Sequence, residues 1–121
     1  MDDGCDGTPG ACPVDRMFSV VGGQWTTYLI WILATDGPQR FGAFQRHLPR
    51  ISTKVLTERL RMLERAGLVD RHQAATIPPQ VTYSLTPRGQ ELHGAMNILG
   101  QIAQKWEAEG WRPEAAVLRT G

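Results

Sequence analysis

Residues 40–71, RFGAFQRHLPRISTKVLTERLRMLERAGLVDR, decide the fold of this chain. Phenylalanine and leucine recur at helical spacing over residues 41–48, and the proline that follows ends a short helix. Ser52 then provides an N-cap for a second helix, which runs to about Ala66 and stops at Gly67. The stretch therefore predicts two helices joined by a tight turn.

The second of these helices has two chemically different faces. At 100° per residue, Leu56, Leu60 and Leu63 fall within about 60° of one another and face the core. The opposite face is polar and mostly cationic, and it carries Lys54, Thr57, Glu58, Arg61 and Arg65. Taken alone, such a face is as typical of a solvated surface helix as of a helix laid in the DNA major groove.

The sequence after this helix predicts a β-hairpin followed by a long helix. An alternating run begins at Leu68, a loop with two prolines covers about 74–80, and a second strand occupies 81–85. Thr86 and Pro87 then open the final helix, as its N-cap and its first helical residue.

Two apolar helices are predicted upstream. The first begins at Pro13 and stops at Gly22 and Gly23, and the second runs from about Gln24 to Thr35. The second is apolar nearly all round, which is typical of a helix that is buried on one side by its own domain and on the other side by a further packing surface.

Charge is unevenly distributed along the 121 residues. The formal net charge is only +1, and the composition, with 41% hydrophobic and 21% charged residues, is that of an ordinary globular domain. Residues 1–37 carry a net charge of −4, residues 38–72 carry +5, and residues 73–121 are neutral. The basic segment coincides with the two middle helices and the first hairpin strand, which points to a nucleic-acid partner.

The order short helix, tight turn, helix and hairpin is that of a winged helix-turn-helix. We therefore expect a mainly α fold with a small β wing (α+β), bound to double-stranded DNA. Lys54 and Arg61 would donate to guanine or phosphate, Thr57 would contact a base edge or a thymine methyl, and Glu58 would accept from cytosine or pair within the helix. The full set of predicted DNA contacts is Arg40, Arg46, Arg50, Ser52, Thr53, Lys54, Thr57, Glu58, Arg61, Arg71 and Gln80.

Three runs of sequence resemble HxlR-type bacterial transcription regulators. They are CPVDRMFSVVGGQW at 12–25, the stretch at 40–71, and IPPQVTYSLTPRGQEL at 77–92, and the resemblance covers roughly residues 12–106. It implies a winged-helix protein that dimerises through its terminal helices and binds near-palindromic operators, usually as a repressor and sometimes as an activator. It also implies that a cysteine equivalent to Cys12 senses oxidants or electrophiles in some members.

The two cysteines leave two interpretations open. Cys12 precedes Pro13 at a helix start, where the helix dipole favours a thiolate, whereas the nearby Asp15 opposes it. Cys12 is then either a small, buried, inert thiol or a redox switch. In the second case Cys5 is the candidate resolving partner, within one chain or across a dimer.

An apolar stripe along the last helix predicts a homodimer. A long amphipathic helix beyond a complete small core needs a partner, and two subunits would place their recognition helices roughly 34 Å apart. The predicted interface consists of Met17, Trp25, Leu92, Met96, Leu99, Ile102 and Trp106. Two alternatives remain: Trp25, Trp31 and Trp106 line a pocket for a small aromatic effector, or the domain is a protein-interaction module without DNA binding.

Other function classes find little support in the sequence. His47, His72 and His93 lack metal-ligand spacing, and no catalytic arrangement or phosphate loop is present, so we expect no metal, no cofactor and no enzyme activity. The uncharged stretch 17–35 is too polar to span a membrane comfortably, and the N-terminus lacks a secretion signal.

These observations favour a cytoplasmic protein with one principal domain. We expect a flexible N-terminal tail at 1–11, a DNA-binding and dimerisation domain at 12–109, and a C-terminal tail at 110–121.

Overall fold

A computed structural model describes residues 10–113 of the chain. In chain order its elements are α1 (Pro13–Val21), α2 (Thr26–Asp36), β1 (Gln39–Arg40), α3 (Phe41–His47), α4 (Thr53–Arg65), β2 (Val69–Ala74), β3 (Gln80–Leu85) and α5 (Pro87–Ala108). Of the described residues, those up to Gln90 form one compact unit, and those from Glu91 onward form a second. The mainly α fold with a small β wing is confirmed.

The wing is a three-stranded antiparallel sheet in the order β1-β3-β2. The hairpin β2–β3 lies where the alternating pattern predicts it, with Val69 opposite Leu85. The third strand, β1, was not predicted from the sequence: Gln39 pairs with Tyr83, and Arg40 pairs with Thr82. Two residues are too few to show an alternation, so only the tertiary pairing reveals this strand.

The core of the first unit forms where α2, α3 and α4 bury their apolar side chains. The leucine face of α4 is confirmed, because Leu56, Leu60 and Leu63 are all essentially inaccessible to solvent. Phe44 of α3 is fully buried as well. The fully or nearly fully buried residues of α2 are Thr26, Leu29, Ile30, Ile32 and Leu33. Burial of a leucine-sized side chain is worth roughly 1.5–3 kcal/mol, so these residues dominate the stability of the unit.

The junction between α1 and α2, here called the elbow, contains a residue in the left-handed backbone conformation. The break at Gly22 is confirmed, but α2 begins two residues later than predicted because Trp25 has φ +76°, a conformation that cannot continue a helix. Tyr28 and Trp31 on the outer side of α2 remain more than half exposed.

Local hydrogen bonds set the ends of α4. The Ser52 hydroxyl accepts from the backbone N–H of Val55 at 3.1 Å, so the predicted N-cap is confirmed. Beyond the C-cap at Ala66, Gly67 has φ +78°, the left-handed conformation in which glycine commonly ends a helix.

The turn into α5 packs tightly against the start of the wing. The Thr86 hydroxyl donates to the Gly67 carbonyl at 2.6 Å and accepts from the Gly89 N–H at 3.1 Å, which confirms Thr86 as a helix cap. Gly89 is buried, and a Cβ built there would overlap the Leu68 carbonyl oxygen. A side chain at this position would therefore separate the helix from the strand.

The second unit consists of the remainder of α5 and the residues that follow it. Its exposed apolar side chains include Leu99, Ile102 and Trp106. Trp111, in the segment predicted to be a tail, packs edge-to-face on Trp106 with 5.2 Å between ring centroids. The outermost parts of both predicted tails, 1–9 and 114–121, lie outside the described residues.

Among the described helices, none is by itself long and apolar enough to cross a membrane. Only α1 and α2 taken together, although bent by 81° at their junction, have the length and composition of a broken membrane span.

Candidate nucleic-acid interface

The exposed face of α4 is the centre of the candidate interface. Lys54, Glu58 and Arg61 are exposed and Thr57 is half-buried, on the side of the helix away from the buried leucines. Burial of one face thus leaves the opposite face free to enter a groove. The cationic and hydroxyl groups on it are those that read base edges and phosphates.

The turn between α3 and α4 orients this face. Ile51 inserts into the core with only 6% of its surface exposed, which anchors the connection. On the outside, the Gln45 side-chain amide donates to the Thr53 hydroxyl at 3.2 Å and links α3 to the first turn of α4. Thr53 therefore lies at the N-terminal end of α4, where recognition helices approach bases.

Exposed arginines surround the helix-turn-helix. Arg46 lies in the last turn of α3 and Arg50 in the connection to α4, and both side chains are exposed. Their positions suit phosphate contacts, which orient a protein on DNA without reading its sequence.

The wing brings two further predicted contacts together. The Arg40 guanidinium of β1 donates to the side-chain carbonyl of Gln80 at the start of β3. Forty residues separate them, so the sequence alone does not indicate that they touch. Because the bond is made at the exposed edge of the sheet, Arg40 and Gln80 form a single polar site beside the hairpin loop.

An open cleft, here called the wing cleft, separates α4 from the wing. Its volume is about 380 Å³, and it is lined by Phe41, Thr57, Arg61, Glu64, Arg71 and Tyr83. Thr57, Arg61 and Arg71 were predicted as DNA contacts, whereas Phe41, Glu64 and Tyr83 were not. Nothing in the local pattern of these three residues indicated that they lie together.

One arginine of the basic segment points away from this surface. The Arg59 Nε–H donates to the Gln24 backbone carbonyl at 3.0 Å and connects α4 to the elbow between α1 and α2. Charge counting includes Arg59 in the basic segment, but its side chain is engaged in the fold.

Residues 20–110 match the sequence profile of the HxlR-like helix-turn-helix family. The chain belongs to this family of DNA-binding transcription regulators. The uncharacterised HTH-type transcriptional regulator YdeP of Bacillus subtilis is 35% identical over 105 residues, covering 87% of this chain and 81% of YdeP.

Solved structures agree with this assignment. The redox regulator HypR in its oxidised form superposes with a TM-score of 0.68 at 37% identity, covering 84% of this chain and 99% of HypR. A transcriptional regulator of the MarR family from Enterococcus faecalis V583 gives a TM-score of 0.75 at 34% identity, covering 79% of this chain and 86% of that protein. The family and these relatives are regulators rather than enzymes.

Cys12 of this HxlR-like chain is not a free thiol. Cys12 is half-buried immediately before α1, and it is disulfide-bonded. The expectation of an inert buried thiol therefore does not describe this structure. Cys5, the predicted resolving partner, lies outside the described residues.

The predicted dimer residues of the HxlR-like chain lie in both units. In the first unit, Met17 is 44% exposed on α1 and Trp25 is half-buried at the elbow. In the second unit, Leu92 and Met96 are half-buried and the rest of the stripe is exposed. Val14 and Phe18 of α1 are also more than half exposed, although the sequence-based prediction did not include them.

His47 of the HxlR-like chain contacts a carboxylate on a neighbouring helix. Among residues 10–113 no group of three or more potential ligands is clustered. His47 instead pairs with Asp36, with 3.1 Å between His47 Nε2 and the nearer carboxylate oxygen. This contact joins the end of α3 to the end of α2 and has a structural role.

Proposed function

We propose that this regulator is a homodimeric repressor that recognises a near-palindromic operator through α4. The observation that carries the proposal is the exposed face of α4, where cationic and hydroxyl groups lie opposite three fully buried leucines. A helix that only faces solvent would not need exposed arginines on the segments before and after it in the chain. Here Arg46 and Arg50 precede α4, and Arg71 follows it on the wing.

In this proposal the contacts divide into two classes. Lys54, Thr57 and Arg61 reach base edges in the major groove, with Glu58 as the acceptor for cytosine. Arg46, Arg50 and Arg71 hold phosphates, and the Arg40–Gln80 pair meets the flanking backbone through its free donors. Ser52 and Thr53 lie at the N-terminal end of α4, where short hydroxyl side chains also suit phosphate oxygens.

The apolar surface that the chain leaves exposed supports dimerisation. Leu99 is 57% exposed, and Ile102 and Trp106 extend the same helical stripe. A monomer would expose this stripe to water at a cost of roughly 25 cal/mol per Å² of apolar surface. A second copy of the chain would cover it and would repeat the recognition helix one DNA turn away.

A redox switch at Cys12 is the second part of the proposal. Disulfides are rare in the cytoplasm, where we place this regulator, and those that form there commonly act in catalysis or sensing. Cys12 is disulfide-bonded in a family that includes a relative named a redox regulator. Reduction by a dithiol would transfer two electrons and two protons to the bond and leave two thiols. Diamide would take them back as the bond re-forms.

The test is a binding measurement on the DNA upstream of the chain's own gene, at physiological salt, with reduced and with diamide-treated protein. Nanomolar binding that differs between the two states would support both the operator and the switch. Equal binding in the two states would support the operator and contradict the switch.

Selection of binding sites from random DNA serves as the decisive control. A palindromic consensus would support the dimeric operator even if it lies elsewhere in the genome. Failure to enrich any sequence would contradict the operator proposal and favour a protein-interaction role.

A further inference from the structure

The loop of the wing hairpin, here called the wing tip, presents an isoleucine that the first unit leaves uncovered. The wing tip consists of residues 75–79, between β2 and β3, and all of them are exposed. Ile77 has an exposed fraction of 102%, whereas the other exposed large hydrophobic side chains of the described residues do not exceed 59%. The side chain adds nothing to the core, and its whole apolar surface is available to a partner.

The wing tip is held in shape by its own residues. The Thr76 hydroxyl donates to the Pro78 carbonyl at 2.8 Å, and Pro78 and Pro79 restrict the backbone that leads into β3. Below the loop, β2 and β3 are paired along their whole length. Ile77 is thus presented at the end of a braced hairpin, so little backbone entropy remains to be lost when it is bound.

The wing tip differs in charge from the base of the hairpin. From residue 72 to residue 87 the sequence contains no lysine, arginine, aspartate or glutamate. The base carries Arg71, which lines the wing cleft beside α4, and Arg40 is bonded to Gln80 at the sheet edge. Phosphate binding draws mainly on cationic groups. The base therefore suits the DNA backbone, whereas the uncharged, apolar tip suits a different surface.

The wing tip lies within reach of the groove next to the one that α4 would enter. Arg71 borders the same cleft as α4, and the tip begins four residues further along the chain, a span of about 13 Å for an extended strand. The minor groove of B-DNA is about 6 Å wide and is separated from the major groove by one phosphate backbone. With α4 in the major groove, a hairpin of this length extends past that backbone. This step rests on the proposed function.

We propose that Ile77 is a specificity-determining residue, which packs into the minor groove beside each half-site and selects A·T over G·C pairs. In that groove both orientations of an A·T pair present acceptors only, whereas a G·C pair adds the N2 amino group of guanine. Isoleucine cannot accept a hydrogen bond from that amino group, so the contact would bury a donor without a partner. Isoleucine and proline are also among the apolar side chains that proteins insert into minor grooves.

A protein partner fits the wing tip less well than DNA does. Ile77 is the only large apolar side chain of this loop, and its neighbours are Ala75, Thr76 and two prolines. Stable protein interfaces bury about 800 Å² on each partner, and a loop this short offers a small part of that area. A groove about 6 Å wide, by contrast, accepts a single side chain between its walls.

The first experiment is selection of binding sites from random DNA with the unmodified full-length chain, Ile77→Ala and Ile98→Ala. We expect the unmodified chain to enrich A·T pairs beside each half-site, and Ile77→Ala to keep the half-sites but lose this flanking preference. Ile98→Ala is the matched control, because it removes the same atoms from an exposed position on α5 and should keep the preference.

The outcomes of the selection separate this inference from the proposed function. Half-sites without a flanking preference, or a preference that survives in Ile77→Ala, would overturn the inference and leave the proposed function intact. Loss of the preference in Ile98→Ala as well would also overturn it. Failure to enrich any sequence would contradict both.

Base analogues in the selected duplex give the second experiment. Replacing the flanking adenines by 2,6-diaminopurine adds an N2 amino group to the minor groove and leaves the major-groove edge unchanged. The unmodified chain should bind this duplex about fivefold more weakly or worse, as for one mismatched pair, whereas Ile77→Ala should bind both duplexes equally. Inosine·C pairs, which lack the amino group, should be bound like A·T pairs. Equal binding of all duplexes by the unmodified chain would overturn the inference.

The salt dependence distinguishes groove packing from a backbone contact. Ile77→Ala should bind the A·T-flanked duplex about fivefold more weakly, with the slope of log K against log salt unchanged, because an apolar side chain releases no counterions. Ile77→Val keeps a branched apolar side chain and should retain the A·T preference. Equal urea midpoints check that the variants are folded, as expected for a fully exposed position. A reduced salt slope in Ile77→Ala would contradict the groove contact.

Discussion

Arg59 of α4 donates its Nε–H to the backbone carbonyl of Gln24, 35 residues earlier in the chain, at 3.0 Å. The bond ties α4 to the elbow after α1, which is the helix that begins beside Cys12. A Cβ built at Gly23 would lie in ordinary van der Waals contact with the same Nε atom, at 3.5 Å, so the elbow packs closely around this bond. The basic segment thus contributes to folding as well as to the exposed cationic surface.

Loss of this contact should lower stability. We expect Arg59→Met to reduce the free energy of unfolding by about 1 kcal/mol, since an exposed hydrogen bond contributes modestly. Arg65→Met is the control, because Arg65 is exposed on the same helix and its substitution removes the same charge. Urea denaturation of the two variants measures the difference, and equal midpoints would show that the Gln24 contact contributes nothing.

Two glycines of α5 should respond to alanine in opposite directions. Gly89→Ala should destabilise by about 1–3 kcal/mol, because the new methyl group would collide with the Leu68 carbonyl and approach Leu85 Cδ2 to 2.8 Å. Gly94→Ala should stabilise by roughly 0.5–1 kcal/mol, because a Cβ built there meets no atom within 4 Å apart from the adjacent backbone of its own helix, and alanine favours the helix. Thermal or urea unfolding tests both, and destabilisation by Gly94→Ala would contradict the free surface at that position.

The salt dependence of DNA binding tests the placement of the phosphate contacts. Replacing Arg46 with glutamine should reduce the slope of log K against log salt by about 0.9, the value expected for one lost phosphate contact. Lys105→Gln, on the exposed surface of α5 outside the proposed interface, should leave the slope unchanged. Fluorescence anisotropy over a series of salt concentrations measures both, and an unchanged slope in Arg46→Gln would count against its assignment.

Cys12→Ser should make operator binding insensitive to diamide. The serine cannot form a disulfide, so the variant should bind equally before and after treatment, while the unmodified chain responds. Cys5→Ser distinguishes a disulfide between Cys12 and Cys5 from a disulfide between the Cys12 residues of two chains. A lost response would identify Cys5 as the disulfide partner, and a retained response would indicate pairing between Cys12 residues of two chains. A diamide response that survives in Cys12→Ser would exclude this residue as the sensor.

Assembly through the α5 stripe can be tested with a charge inserted into it. Leu99→Asp should shift the sedimentation coefficient from dimer to monomer at micromolar concentration, because a buried unpaired carboxylate is costly. Asn97→Asp adds the same charge two residues away, on the opposite side of the helix, and should leave the dimer intact. A dimer that persists in Leu99→Asp would place the interface elsewhere.

Much of the geometry of the candidate interface was predictable because helical periodicity is local. The spacing of Leu56, Leu60 and Leu63 is enough to place the cationic residues of α4 on the outside, and the structure confirms that division. Ser52 and Thr86 were likewise identifiable as helix caps from the residues next to them. Strand β1 was missed, because two residues have no pattern of their own and exist as a strand only through pairing with β3.

The sequence by itself determined which helix presents a cationic face opposite its buried leucines, because amphipathic spacing, capping residues and charge all act over a few neighbouring positions. Only the tertiary structure decided which arginines are bonded within the fold and which line the wing cleft. Arg59 is engaged at Gln24, Arg40 is bonded to Gln80, and Arg61 meets Arg71 across a cleft that separates a helix from a sheet. The reason is physical: these relationships join residues 10 to 40 positions apart, and packing of the core, rather than any local preference, brings them together.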